Sequence, residues 1–254
     1  MSDEWTAEES ARRWDSHAAG LTSRYTAQGD VHREVLLNPA LLALLGAVGG
    51  KRMLDAGCGE GYLSRMLARA GASVVAVDYS RKMIEIAGVK TPADLVIDYR
   101  HANCEDLAFL DDGSVDVVVS NMVLQDLPAY EAAINEAYRV LVPGGVFIFS
   151  ILHPCFSTPG SGWVKNDDGR NLHWSVDGYF DEAAIDLEWP RGAQDGILYF
   201  HRTLTSYFEA VRRAGFAVDA LVEPKPSEEM LAKYPEFGDD LRMCHFMVLK
   251  AIKP

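Results

Sequence analysis

The sequence predicts an α/β fold built on a doubly wound, mostly parallel sheet with a ligand crevice at its carboxyl edge. Three observations lead there. Apolar runs of strand length alternate with helix-period segments from Lys51 to Leu152. The first run, Lys51 to Ala56, ends in a glycine-rich loop, Gly57, Gly59, Gly61. The second, Ser73 to Val77, ends in a carboxylate, Asp78, 21 residues after Gly57.

The elements follow in order. After the glycines, Leu63, Met66 and Leu67 recur at helical spacing from Tyr62 to Ala70, and Gly71 stops that helix. Ser80 is placed to cap a helix holding Met83, Ile84 and Ala87. Asp94 to Arg100 reads as a third strand, and Val115 to Ser120 as a fourth, apolar along its length as a strand covered on both faces should be. A helix from Ala129 to Leu141 is blocked by Pro143-Gly144-Gly145, and Val146 to Leu152 is the fifth strand. The pattern then breaks: 153–200 is rich in Pro, Gly, Asp and aromatics without periodicity, the mark of an inserted lid. A helix from Thr203 to Ala214 and strands at Phe216 to Val222 and Met243 to Ile252 complete the chain. Three prolines between the last two strands leave room for at most a short helix, so the final strand is expected to return antiparallel.

Composition narrows the function classes. The chain has 254 residues, 48% of them hydrophobic, enough for a core and against disorder. Its net charge of -13 repels phosphate backbones, and Arg12-Arg13 and Arg212-Arg213 are isolated pairs, so no nucleic-acid partner is expected. The four cysteines, Cys58, Cys104, Cys155 and Cys244, lack metal-ligand spacing. The start, Met1 to Trp5, is acidic without an apolar signal region, and the longest apolar runs cannot span a bilayer. A cytoplasmic protein with free thiols, no metal and no membrane partner is expected.

Two ligands suit the glycine loop. A dinucleotide site wants a small residue where Tyr62 stands, so that the helix can pack beneath the pyrophosphate. Here the spacing is Gly-x-Gly-x-Gly, preceded by Asp55. A carboxylate there repels pyrophosphate and suits an ammonium, while Asp78 can accept from both ribose hydroxyls. The residues favour a nucleoside joined to an amino acid; a nicotinamide-dependent oxidoreductase is the weaker reading.

From Trp14 to Gly145, and again in the C-terminal strands, the chain resembles class I S-adenosylmethionine-dependent methyltransferases, in particular the broad group of ubiquinone and menaquinone biosynthesis methyltransferases. Asp55-Ala56-Gly57-Cys58-Gly59-Glu60-Gly61 matches that family's D-x-G-x-G-x-G. Asp78 matches its ribose ligand, with Tyr79, Ser80 and Met83 flanking adenine and ribose. Asn103-Cys104-Glu105-Asp106-Leu107-Ala108-Phe109 matches its adenine loop, with Asn103 in place of the usual Asp and Cys104 acting through its backbone N–H. Asn121, Met122 and Gln125 fall beside the methionine portion, and Pro143-Gly144-Gly145 matches the turn into strand five. The resemblance implies a Rossmann-like seven-stranded sheet with an antiparallel last strand and S-adenosylmethionine as cofactor, released as S-adenosylhomocysteine.

The remaining expectations concern closure and chemistry. Residues 1–48 are expected to form a helical cap over the cofactor, with Tyr25 and Arg33 closing on its carboxylate; an exposed helix charge is the other reading of Arg33. Residues 1–254 read as one domain. The reaction is in-line displacement of the methyl group by an O, N or C nucleophile of a small molecule, which needs positioning and exclusion of water more than a base. His153, just after strand five, is the candidate base, with a structural histidine as the alternative. His173, Trp174, Tyr179, Tyr199 and His201 are candidates to line an aromatic acceptor pocket, with lid packing as the alternative. Competing functions are methylation of a protein or tRNA, and a non-catalytic nucleoside-binding protein.

Overall fold

The computed structural model describes residues 5–188 and 195–254. The acidic start read at Met1 to Glu4 lies outside the described residues. A helix α1 (Ala7–Thr22), capped by the Thr6 hydroxyl, is followed by a turn, a five-residue π-helical stretch (Arg33–Leu37) and α2 (Asn38–Leu45). The central strands are β1 (Arg52–Ala56), β2 (Ser73–Asp78), β3 (Ile97–His101), β4 (Val115–Asn121) and β5 (Leu141–Leu152). Between them run α3 (Tyr62–Arg69), α4 (Arg81–Lys90) and α5 (Tyr130–Val140). After β5 come four short strands, β6 (Gly162–Lys165), β7 (Asn171–Ser175), β8 (Ala183–Leu187) and β9 (Ile197–His201). The chain closes with α6 (Leu204–Arg213), β10 (Ala217–Val222), α7 (Glu228–Lys233), a 3-10 stretch (Pro235–Leu241) and β11 (Phe246–Ile252).

Seven strands form one sheet in the order β3-β2-β1-β4-β5-β11-β10. The first five are parallel, and β11 is antiparallel to both its neighbours, as expected. The chain winds outward from β1 through β2 and β3, then crosses to β4 and winds the other way. The crevice this leaves at the carboxyl ends of β1 and β4 is where ligands bind in open sheets. β4 is buried along nearly its whole length because β1 and β5 flank it and helices cover both faces. One face packs against α5 and α6 through Ile134, Ala210 and Val211; the other packs against α2 and α3 through Leu41, Leu63 and Leu67.

The structure departs from the sequence expectation at four places. β3 starts at Ile97, not Asp94, because the amide of Leu95 turns back to the carbonyl of Pro92. Pro143-Gly144-Gly145 is a bulge inside β5, not a turn before it: Leu141 already pairs with Val115, and pairing resumes with Val146 opposite Val117. β11 starts at Phe246, three residues late. The lid is not structureless: β6 pairs with β7 and β8 with β9 in two antiparallel hairpins. Among the described residues no helix is long and apolar enough to cross a membrane.

Phe147 tests the packing beneath the crevice. It is buried between Phe149 and Phe216, ring centroids 5.4 and 5.3 Å away. Phe147→Ala is expected to cost about 3–5 kcal/mol through lost burial and a residual cavity. Urea unfolding should show the midpoint falling with an unchanged slope.

Candidate active site

The crevice is built by the loop leaving β1. The amides of Gly57 and Cys58 both donate to the carbonyl of Val77 at 2.8 Å, fastening the loop to the end of β2. Gly59 holds φ of +54°, and a Cβ there would meet nothing within 4 Å, so its main chain faces open space. Gly61 is different: with φ of +78°, its missing side chain makes room for the Tyr99 hydroxyl, which a Cβ would approach to 2.3 Å. It packs the loop and does not line the cleft.

Asp78 clasps this loop. One carboxylate oxygen accepts from the Gly59 amide and the other from the Ser80 amide, both at 2.8 Å. Each oxygen keeps capacity for a further donor. Burial pushes the Asp78 carboxyl up to about 6, opposed by those two amides and reinforced by Asp15. Asp55, at the end of β1, is 1% exposed and accepts from the Ser64 hydroxyl at 2.5 Å. Burial pushes it up to about 7; the Ser64 bond opposes this and the Asp78 charge adds to it. Ser80 caps α4 through the Met83 amide and donates to Asp15 of α1 at 2.5 Å, drawing α1 over the cleft. Tyr79 stacks on His101, centroids 5.7 Å apart, and donates to Glu8 of α1.

The end of β4 forms the opposite wall. Asn121 donates to the Tyr62 hydroxyl at 2.7 Å and accepts from Ser150 at 2.6 Å; Tyr62 donates in turn to Asn38. This chain ties β4, β5, α3 and α2 together beneath the site. Beyond it Met122 takes φ of +65°, which a non-glycine residue adopts only when its surroundings impose it. Arg33 pairs with Asp30 and lies over the rings of Tyr25 and Tyr62, 5.3 and 6.0 Å from their centroids.

Together these groups line a cleft of about 880 Å³, open solvent at its mouth included. Of the residues singled out from sequence, Tyr25, Arg33, Asp55, Gly57, Cys58, Gly59, Asp78, Tyr79, Ser80, Met83, Asn121 and Met122 line it. Asn103, Cys104 and Glu105 do not: the Asn103 side chain accepts from the Glu105 amide and donates to the Glu105 carboxylate, closing a local turn. Sequence reasoning missed the wall supplied by Ala7, Ser10, Ala11 and Trp14 of α1, and missed Val123, Asp126 and Leu127 after β4.

A second chamber of about 950 Å³ adjoins the first. Trp14, Arg33, Met122 and Asp126 line both. Its other walls include Leu37, Gln125, Leu152, Leu187, Ile197, Tyr199, His245 and Phe246. Gln125 therefore faces this chamber and not the first, its amide oxygen held by the Leu152 amide at 2.7 Å. Burial raises the Asp126 carboxyl well above the usual range, with Arg33 opposing.

His153 stands on neither chamber. Its Nδ1 accepts from the Cys155 amide at 3.2 Å, so its Nε2–H donates to Glu223 at 2.9 Å, and both nitrogens are engaged. Burial lowers its pKa. Of the five proposed acceptor-pocket residues the second chamber includes Tyr199 alone, whose hydroxyl donates to Ser157. Trp174 donates to the Phe156 carbonyl, Tyr179 accepts from the Leu204 amide, and His201 meets the Tyr179 carbonyl. His173 lies in β7 opposite Val164. None of these four lines either chamber.

A family model described as a methyltransferase domain matches residues 54–149. A ubiquinone biosynthesis O-methyltransferase of Xanthomonas oryzae pv. oryzae is 35% identical over 200 residues, covering 73% of this chain and 83% of the relative. An uncharacterised protein of Haemophilus influenzae is 27% identical over 216 residues, 82% of each chain. The crystal structure of an S-adenosylmethionine-dependent methyltransferase from Mesorhizobium loti superposes with a TM-score of 0.78 at 30% identity, covering 89% of this chain and all of that one.

Asp55 provides a test independent of any ligand. A carboxyl raised from 3.8 unfolded to about 7 folded favours the fold when protonated. That contribution is whole below pH about 4 and is lost as pH rises through about 7. Asp55→Asn keeps an oxygen for Ser64 and removes the titration. Thermal melts without ligand should show the variant gaining stability over wild type as pH rises from 4 to 7. A constant difference across that range would refute the assigned ionisation.

Proposed function

The chain belongs to the S-adenosylmethionine-dependent methyltransferases, and from that premise we propose that it methylates a small molecule held in the second chamber. The observation that carries this reading is the shared wall of Trp14, Arg33, Met122 and Asp126, which puts a donor cleft and an acceptor chamber side by side. The residues of the first cleft fit the cofactor. Two carboxylates with raised pKa values favour a cationic, hydroxyl-rich ligand, and the open main chain at Gly59 admits close approach. Asp78 would hold the ribose, Tyr79 and Met83 would flank the adenine, Asp55 would attract the ammonium and Arg33 the carboxylate. When bound, S-adenosylmethionine supplies an electrophilic methyl on cationic sulfur: the acceptor's lone pair forms the new bond as the carbon–sulfur pair returns to sulfur.

The chain's own task is to position the acceptor and exclude water. Several features support a small acceptor. The β8–β9 hairpin roofs the chamber through Leu187, Ile197 and Tyr199, and α1 straps it down: Arg13 reaches Asp186 at 2.8 Å and His17 meets the Asp195 carbonyl. The net charge of -13 weighs against tRNA. Oxygen is the favoured nucleophile, in line with the O-methyltransferase named among the relatives. This reading gives His153 a structural role, because its nitrogens are committed to Cys155 and Glu223.

Calorimetric titration with S-adenosylmethionine and S-adenosylhomocysteine tests the cofactor half. Asp78→Ala should weaken both by roughly tenfold to a hundredfold, as expected for losing hydrogen bonds to a charged group, and Asp78→Asn should weaken them less. Unchanged binding by both variants would refute the ribose assignment. For the acceptor half, cell extract is incubated with methyl-labelled donor and fractionated. Label should appear among small metabolites; label in the protein or RNA fraction would overturn the small-molecule reading, and label nowhere despite tight binding would favour a binding protein.

A further inference from the structure

The second chamber contains an acid–base pair that the sequence did not reveal. His245, just before β11, lines it beside Phe246 and is held edge-on to Trp174, centroids 5.6 Å apart. Its Nε2 lies 3.2 Å from Oδ1 of Asp240, at the end of the 3-10 stretch. That oxygen is sealed from solvent and takes no hydrogen bond in the present ring orientation. A carboxylate oxygen only accepts, so a ring nitrogen held 3.2 Å from it is favoured as the protonated one. The proton therefore belongs on Nε2, and Nδ1 is left as a lone-pair acceptor; no hydrogen bond to Nδ1 occurs among the described residues.

We propose that His245, oriented by Asp240, is the base that takes the hydroxyl proton of a planar acceptor bearing an acidic ring hydroxyl, a phenol or enol. The proposal rests on the methyltransferase reading above. In the step, the acceptor's O–H bond breaks, its electron pair stays on oxygen and its proton goes to Nδ1 of His245. The resulting imidazolium faces Asp240 and the oxygen is ready to attack. Asp240 is a positioning residue.

Two further observations point the same way. Burial lowers the His245 pKa, helped by the nearby His32 and opposed by Asp240, so the ring is neutral at pH 7. Such a base matches a phenol or enol, whereas an aliphatic alcohol holds its proton too tightly for it. The chamber walls are largely apolar and aromatic, suited to a flat ring. The charged and titratable groups around His245 are Asp240 and His32, with Asp30, Arg33, Asp126 and Tyr199 also lining the chamber.

The test uses 4-nitrophenol, whose ionised form is yellow, with the full-length protein saturated in S-adenosylhomocysteine. Absorbance is followed against pH. Bound to wild type, the probe should ionise about one pH unit below the free compound, a tenfold stabilisation of the phenolate–imidazolium pair. His245→Gln should return the midpoint to the free value or above it, and Asp240→Asn should remove part of the shift; His153→Asn, outside both chambers, should retain it. No binding of the probe, a wild-type midpoint at or above the free value, or the same shift in His245→Gln overturns the proposal. Failure of wild type to bind S-adenosylhomocysteine overturns the methyltransferase reading beneath it.

Discussion

Holding two carboxylates, Asp55 buried and Asp78 part-buried, at the ends of adjacent strands is the constraint on which the rest of the site depends. Asp55 and Asp78 stand at the ends of β1 and β2; burial raises the proton affinity of both, and the Asp78 charge raises that of Asp55 further. An unpaired buried charge is costly, so such groups persist only where donors or a cation meet them. Here the donors are the Gly59 and Ser80 amides and the Ser64 hydroxyl. The demand for those donors shapes the β1–α3 loop and fixes where α4 begins. A nearby cluster, Glu60 with Arg65 and Lys90, neutralises the loop's remaining buried acid at 2.9 and 3.0 Å, so the unmet negative charge is directed into the cleft.

Much of this was legible in the sequence because it is local. A strand, a glycine turn and a helix are contiguous, and the acid closing the next strand lies at a spacing set by one crossover. The second chamber is the opposite case. Its walls come from α1, the π-helical stretch, the lid and β11, segments whose meeting is decided by sheet order. The histidines show it best. Antiparallel pairing sets Phe246 opposite Leu152, so His153 and His245 leave the same sheet edge side by side, joined by the His153 amide and the His245 carbonyl at 2.8 Å. Sequence position marked His153, which follows the apolar run of β5. The structure turns that ring toward Glu223 and the other toward the chamber.

The lid was misread for a related reason. Its hairpins are short and partly exposed, and a register shift between Val164 and Lys165 breaks their alternation, so no period survives over 153–200. One clear signal did exist. Ile197 to Phe200 is an apolar run of strand length, and β9 is buried throughout because it packs between the rest of the lid and the crevice. Asp126 carried no comparable mark. It follows β4 in a single 3-10 turn, and its burial depends on α1 and Arg202 closing around it from distant parts of the chain.

α1 connects the two halves of the site mechanically. Ala7, Ser10, Ala11 and Trp14 of one side wall the first cleft, while Arg13 and His17 hold the β8–β9 hairpin over the second chamber. Arg13 is nearly buried and bridges Glu9 on its own helix, Asp186 and the Gly196 carbonyl, so losing one partner leaves a desolvated cation. The neighbouring Arg12–Asp195 pair is about half exposed on both sides and contributes little. The strap therefore rests on Arg13, with the His17 contact to the Asp195 carbonyl beside it. Displacing α1 from the first cleft must either break the Arg13 contacts or carry the hairpin with it, so the walls of the two chambers are joined through one helix.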